Sequence, residues 1–279
     1  MSGEAPGDPR RRLTEFWDRS RGYYELAIET NPSAAPERAV LFRHLEGGER
    51  VLDLGCGSCE NALWLPVGCS YLGMDISTTA LAMAAEMGRP GVRLRGDAQS
   101  LPLATGSLDA VLSTWAIEHF HDPGRTLAEV ARVLKPGGRL LLVGSAWDLP
   151  HALAPSLHPD RRLKVTLARL GRQVRSLADG RHRFDMVLEP RALTEEFVPD
   201  SDAVHLTQSY QVRRYLEACG LRILEQRSLP HGNRPSLAQR LLRGVLRVVP
   251  LWRHGWGNTL IVAQRTDAWR RPPYELLEL

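Results

Sequence analysis

The chain has 279 residues, 43% of them hydrophobic and 24% charged, an ordinary globular balance with length enough to bury a core. No apolar run approaches the roughly 20 residues of a membrane-spanning helix, and a net charge of +4 is too mild to argue for nucleic acid. Four cysteines, Cys56, Cys59, Cys69 and Cys219, are too few and too clustered for a disulfide framework, which fits a reducing cytoplasm.

In chain order, Met1–Arg12 is polar, with no apolar core behind its arginines, and does not read as a secretory leader. It opens a helical segment, residues 1–45, whose Trp17, Tyr23 and Tyr24 could close over a ligand pocket, with ordinary core packing as the equal alternative. Glu49–Leu54 reads as a buried strand stopping at Gly55, with a helix from Glu60 to Leu65. Cys69–Met74 is a second strand, ending at Asp75, after which Ser77 caps a helix through Met87. Val92–Arg95, Leu108–Ser113 and Arg139–Gly144 follow as strands, with a helix over Pro123–Leu134 and a turn at Lys135–Gly138. Strands alternating with helices at this spacing predict parallel βαβ units whose post-strand loops share one edge of the sheet, where such sheets bind ligands.

The alternation breaks after Ser145. Residues 146–205 carry prolines and arginines and no clear strand, and they leave from the end of the fifth strand, so they are expected to form a cap inserted at the ligand edge. Within it, Leu163, Leu167, Leu170, Val174 and Leu177 mark one apolar helical face, with Arg161, Arg162, Lys164, Arg169, Arg172 and Arg175 on the others. A cap helix packing its leucines and solvating its basic face is the plain reading; a membrane surface, a partner or an acidic substrate are the alternatives. Tyr210–Cys219 is a helix closed by Gly220, and Leu221–Arg227 and Asn258–Gln264 are further strands. Between them Leu237–Trp256 repeats the basic amphipathic pattern. The expected architecture is α/β, a doubly wound, mostly parallel seven-stranded sheet. It divides into the helical segment 1–45, a core at 46–145, the cap at 146–205 and the remaining core and tail at 206–279.

The chemistry concentrates between Asp53 and His119. Val51–Cys59 (VLDLGCGSC) puts Gly55 and Gly57 on a strand-to-helix turn, where backbone must bend sharply and approach a ligand. Asp75 and Asp97 end later strands on the same edge, and each can accept hydrogen bonds from hydroxyl or amino groups. Either one alone could be only a cap or turn residue; their joint placement is the signal. Together with YLGMDIS, GDAQSLPLATGSLDAVLS, WAIEHFHDP and LKPGGRLLLVGS, in this order, the run from Val51 to Ser145 resembles the class I S-adenosylmethionine-dependent methyltransferases. It is similar to the group that includes ubiquinone and menaquinone biosynthesis enzymes, and the resemblance covers about a third of the chain.

The resemblance implies that Asp53 and the loop Gly55, Cys56 and Gly57 lie beside the methionine part of the cofactor. It also implies that Asp75, followed by Ile76, holds the ribose hydroxyls, that Asp97 and the Ala98 backbone read the adenine, and that backbone at Ser113 and Thr114 accepts from the amino group. A third glycine is usual in the family where this chain has Cys59, so the first turn is bulkier here. The Cys56-x-x-Cys59 spacing could also suit metal or redox use, but no second pair completes a zinc site, and no metal is expected. A dinucleotide oxidoreductase is the rival nucleotide reading; Glu60 opposes it, because a carboxylate at that helix start would repel a pyrophosphate.

A methyl group on a sulfonium is already activated, so aligning a nucleophile and excluding water are the main tasks, and a base is optional. His119, after the fourth strand, is the candidate base, with a scaffold histidine as its alternative. His121 and Glu118 are weaker candidates, and Glu118 could simply anchor its loop. On the substrate side stand Tyr23, Tyr24, His121, His205 and Tyr210, with Asp200 and Asp202 beside them at the cap's exit; Ser201 and Asp202 would more simply start the next helix. A small-molecule acceptor is expected: a natural product, sugar, quinone or lipid. RNA or protein methylation and a non-catalytic cofactor-binding protein are the other function classes. No nucleic-acid partner is expected, peripheral membrane contact stays open, and the acceptor atom and oligomeric state are not encoded legibly.

Overall fold

The computed structural model describes residues 9–30, 35–229, 244, 249, 251–252 and 258–279. Most of the Leu237–Trp256 stretch and of Met1–Arg12 lies outside the described residues. Three helices lead, α1 (Pro9–Arg19), α2 (Arg21–Thr30) and α3 (Ala35–Phe42). Then come β1 (Arg50–Leu54), β2 (Ser70–Asp75), α4 (Thr78–Glu86), β3 (Val92–Arg95), β4 (Leu108–Thr114), α5 (Pro123–Val133) and β5 (Leu134–Ser145). The remainder is α6 (Arg162–Asp179), β6 (His182–Met186), α7 (Ser209–Ala218), β7 (Leu221–Leu229), β8 (Asn258–Arg265) and β9 (Tyr274–Glu278).

Seven strands form one sheet in the order β3-β2-β1-β4-β5-β8-β7. β1 to β5 pair in parallel and β8 runs antiparallel to both β5 and β7. The strand order reverses between β1 and β4, which opens a crevice beyond their carboxyl ends. Alternation along the strands sends Leu52, Leu54, Val111, Leu140 and Leu142 to the face covered by α5 and α7. Val51, Ala110, Leu112, Leu141 and Val143 go to the other face, with Leu41 of α3.

Several local expectations are met. Ser77 accepts from the Ala80 amide at the start of α4, and Gly220 takes φ 95° just after α7, a backbone state that favours glycine. Three are corrected. The expected helix over Glu60–Leu65 is a four-residue 3-10 turn, Glu60–Leu63. The expected turn at Lys135–Gly138 is absorbed into β5, whose pairing with β4 shifts register between Leu108 and Ala110. The segment 146–205 does contain a strand: β6 pairs in parallel with β9 from the tail, a small second sheet that ties the insertion to the chain end.

The orientation of α6 differs from the simplest expectation. Its buried residues are Val165, Arg169, Gln173 and Ser176, while the leucine face is exposed. Hydrogen bonding explains the rotation. Arg169, fully buried, bonds Asp185 of β6 at 3.1 Å and the carbonyls of Trp147 and Ala152. Gln173 donates to the Asp148 carbonyl at 2.6 Å. Asp185 also receives Arg172 at 2.9 Å and Gln208 at 2.6 Å. A buried guanidinium is tolerable only when it is paired and its N–H groups are used, and turning α6 toward β6 achieves both.

Candidate functional site

β1 ends in a loop that must turn back over β2. Gly55 and Gly57 both adopt positive φ, 72° and 50°. The Gly55 amide donates to the Met74 carbonyl at 2.8 Å, and a Cβ at Gly55 would stand 2.5 Å from that of Ala116. Glycine is therefore required for both conformation and space. Cys59 also takes positive φ, 57°, without being glycine, the position where the resemblance expects a third glycine. Its thiol lies 3.5 Å from that of Cys56, both are free thiols, and Gly73 makes room beneath them: a Cβ there would meet both sulfurs at 2.9 and 3.0 Å.

Asp75 closes the loop from the other side, accepting from the Gly57 amide at 2.8 Å and the Ser77 amide at 2.9 Å. Burial pushes its pKa up, against those backbone donors, which favour the charged form. Asp97, exposed at the end of β3, accepts from the Gln99 amide at 2.8 Å. Gly55, Cys56, Gly57, Asp75, Ile76, Asp97, Ala98 and Thr114 line a single pocket. Tyr23, Tyr24, His119 and His121 line the same pocket.

Four expected residues stand elsewhere. Asp53 is fully buried beneath the loop, held by the Tyr71 hydroxyl at 2.8 Å and the Asn61 amide at 3.2 Å. Ser113 is buried inside β4. His205 is buried behind the pocket wall, Nδ1 3.2 Å from the Ile117 carbonyl and its ring against Phe184, and burial pulls its pKa down to about 4. Tyr210, on α7, lies under the Arg214 guanidinium. None of the four lines the pocket.

The structure adds residues that sequence reading did not single out. Asn61 donates to both Asp53 and Thr114, at 3.2 and 2.9 Å, and so ties the loop to the end of β4. Trp115 holds φ 50° as it enters the pocket wall. Trp17 does more than cover the site: its indole N–H donates to Asp202 at 3.0 Å, its carbonyl accepts from Ser77 at 3.1 Å, and its ring lies edge-on to His119 with centroids 5.7 Å apart.

Asp202 is 1% exposed and stands 3.5 Å from Nδ1 of His119. It starts no helix, since α7 begins at Ser209, held by Asp148 at 2.6 Å. Burial pulls the His119 pKa down, but the carboxylates of Asp202, Glu118 and Asp200 reverse this and leave it raised. Glu118 anchors its surroundings: its carboxylate accepts from the Ser145 amide and its carbonyl from the Val204 and His205 amides. Burial pushes its pKa up to about 7. Among the described residues, no group of three His, Cys, Asp or Glu side chains could hold a metal ion.

Residues 52–142 match the methyltransferase domain family. The chain is 36% identical over 141 residues to the methyltransferase GfsG of Streptomyces halstedii, covering 43% of this chain and 48% of that one. It is 29% identical over 148 residues to a malonyl-[acyl-carrier protein] O-methyltransferase of Pectobacterium atrosepticum, covering 51% and 58%. It spans about half to three-fifths of the length of the curated relatives it matches. A solved S-adenosylmethionine-dependent methyltransferase from Mesorhizobium loti shares the fold with TM-score 0.55 and 22% identity, over 83% of this chain and 97% of that one.

Proposed function

We propose, from the premise that the chain belongs to the class I S-adenosylmethionine-dependent methyltransferases of the type 11 group, that it methylates a small molecule in the pocket between β1, β2, β4 and α1. The observation that carries this reading is the convergence of the Gly55–Gly57 loop, Asp75, Asp97 and His119 on one pocket.

The residues present fit the cofactor. Each Asp75 oxygen takes one backbone N–H. A carboxylate offers about four acceptor positions, so it retains capacity for two ribose hydroxyls. Asp97 and Ala98 stand at the next strand end for a base with an amino group, and Ile76, Met74 and Phe120 supply apolar wall. The positive-φ loop brings backbone close enough for the methionine part. When bound, S-adenosylmethionine supplies a methyl group activated by its sulfonium.

The protein's own contribution is placement and proton handling. Trp17, Tyr23 and Tyr24 close the open side and exclude water. His119 accepts the acceptor's proton on Nε2, while Asp202 faces Nδ1 and stabilises the imidazolium that results. A small acceptor is supported by the aromatic closure and by the relative named for malonyl-[acyl-carrier protein] O-methylation.

The test is calorimetric titration with S-adenosylhomocysteine and NAD, followed by transfer of a radiolabelled methyl group across alcohol, carboxylate, amine and RNA acceptors. Binding of S-adenosylhomocysteine with turnover on a small acceptor is expected. Binding of NAD alone, or turnover on RNA alone, overturns the proposal.

A further inference from the structure

The insertion presents a surface that the pocket does not use. On α6, Leu163, Leu167, Leu170, Val174 and Leu177 are 73, 61, 40, 59 and 52% exposed. They recur at intervals of three and four residues, so they form one stripe about 21 Å long at 1.5 Å rise per residue. Scattered exposed leucines need no explanation, but a continuous stripe on one helix does. The helix is held by its other side, through Arg169, Gln173 and Val165, so the apolar face is not needed for the packing of α6.

Charge identifies what the stripe fits. Arg161, Arg162, Lys164 and Arg175 are exposed around it. Arg169 and Arg172, by contrast, are spent on Asp185. No acidic residue stands between Asp160 and Asp179. An apolar stripe bordered by cations, on a helix anchored along its third side, is the arrangement that lies in the plane of a membrane interface: leucines reach the acyl boundary and cations the headgroups. The centre of a protein interface is enriched in aromatic residues, methionine and arginine, whereas every central position here is leucine or valine. Among the described residues no helix is long and apolar enough to cross a membrane, so the contact is peripheral.

We propose that α6 is a membrane-docking helix, which seats the protein on an anionic lipid surface through the stripe Leu163–Leu177 and its flanking arginines and lysine. The docking is independent of methyl transfer, and its test does not use turnover.

The experiment is cosedimentation of the full chain with phosphatidylcholine vesicles, with and without phosphatidylglycerol. The wild type is expected to partition onto the anionic vesicles, less so with added salt, and to leave neutral ones largely unbound. Leu167→Glu/Val174→Glu is expected to lower partitioning by about tenfold or more, and Lys164→Gln and Arg175→Gln by about fivefold each. Because these side chains are exposed, melting temperatures are expected to be unchanged. Wild-type protein remaining in the supernatant overturns the proposal, as does undiminished binding of the variants. A fall in melting temperature in the glutamate variant means another part of the chain covers the stripe. A dimer-to-monomer change in sedimentation means a second copy covers it. Either result also overturns the proposal.

Discussion

Nδ1 of His119 stands 3.5 Å from the buried carboxylate of Asp202, 83 positions later in the chain, and Trp17 donates to the same carboxylate oxygen. The pocket histidine is thus set by a residue from the insertion and braced by one from the first helix. The distance is that of an ion pair rather than a tight hydrogen bond, so Asp202 acts on the His119 charge more than on its direction.

His119→Ala is expected to lower the rate of methyl transfer by roughly 10²–10⁴-fold with cofactor affinity nearly unchanged, because a positioned base acts in the transition state. His119→Asn gives the same result with less change in volume. Single-turnover rates beside calorimetric affinities separate the outcomes: a parallel loss of affinity would make His119 a pocket wall instead.

The pH profile follows from the sign of the shift. The proposed base, His119, would act as the neutral imidazole, and the surrounding carboxylates raise its pKa, so kcat/KM is expected to rise with pH through a midpoint above the ordinary value of about 6.5. Asp202→Asn removes the nearest of those charges and is expected to move the midpoint down. A midpoint that stays in place in Asp202→Asn would mean the carboxylate does not act on His119.

Asp75→Ala is expected to cost about 1.5–3 kcal/mol of cofactor affinity, the worth of hydrogen bonds to a charged acceptor, and titration with S-adenosylhomocysteine measures it. The Gly57 and Ser77 amides lose their acceptor as well. Asp75→Asn is therefore the control that keeps one acceptor oxygen while losing the charge.

Glu118 makes stability depend on pH. Its pKa rises from the ordinary value to about 7 on folding, through burial. The folded state thus binds the extra proton more tightly, and this contribution is full at low pH and lost as pH rises through 7. Glu118→Gln retains an acceptor for the Ser145 amide without the buried charge. It is expected to be more stable relative to wild type at pH 8 than at pH 5, by up to about 3 kcal/mol, read from urea unfolding at the two pH values.

Arg169→Met leaves Asp185 buried with only Arg172 and Gln208 as partners. It is expected to destabilise the protein by about 3–5 kcal/mol, since the buried Asp185 loses one of its two cations and the carbonyls of Trp147 and Ala152 lose their donor. Chemical unfolding measures it. A loss under about 1 kcal/mol would show that Arg169 does not anchor α6.

The amino-acid sequence by itself determined the sheet and the loop at its edge, because both rest on short-range rules. Short, mostly apolar runs bounded by turn residues read as strands buried on both faces, as at Val51–Leu54 and Leu140–Val143. Positive φ at Gly55 and Gly57 is a local demand of the turn, and Asp75 and Asp97 follow their strands by position alone. Only the tertiary structure decided the rest, because those choices depend on partners far along the chain. Asp53, which the resemblance places beside the cofactor, is held beneath the loop because Tyr71 and Asn61 both donate to it. His205 looked free to meet substrate but was drawn behind Ile117, while Asp202, three positions earlier, faces the pocket histidine. β6 was invisible because its pairing partner, β9, lies 92 residues further along the chain. The leucine stripe of α6 is legible in the sequence, but which way it turns is not: burying one arginine against Asp185 outweighed burying five aliphatic side chains, and that balance exists only once β6 is in place.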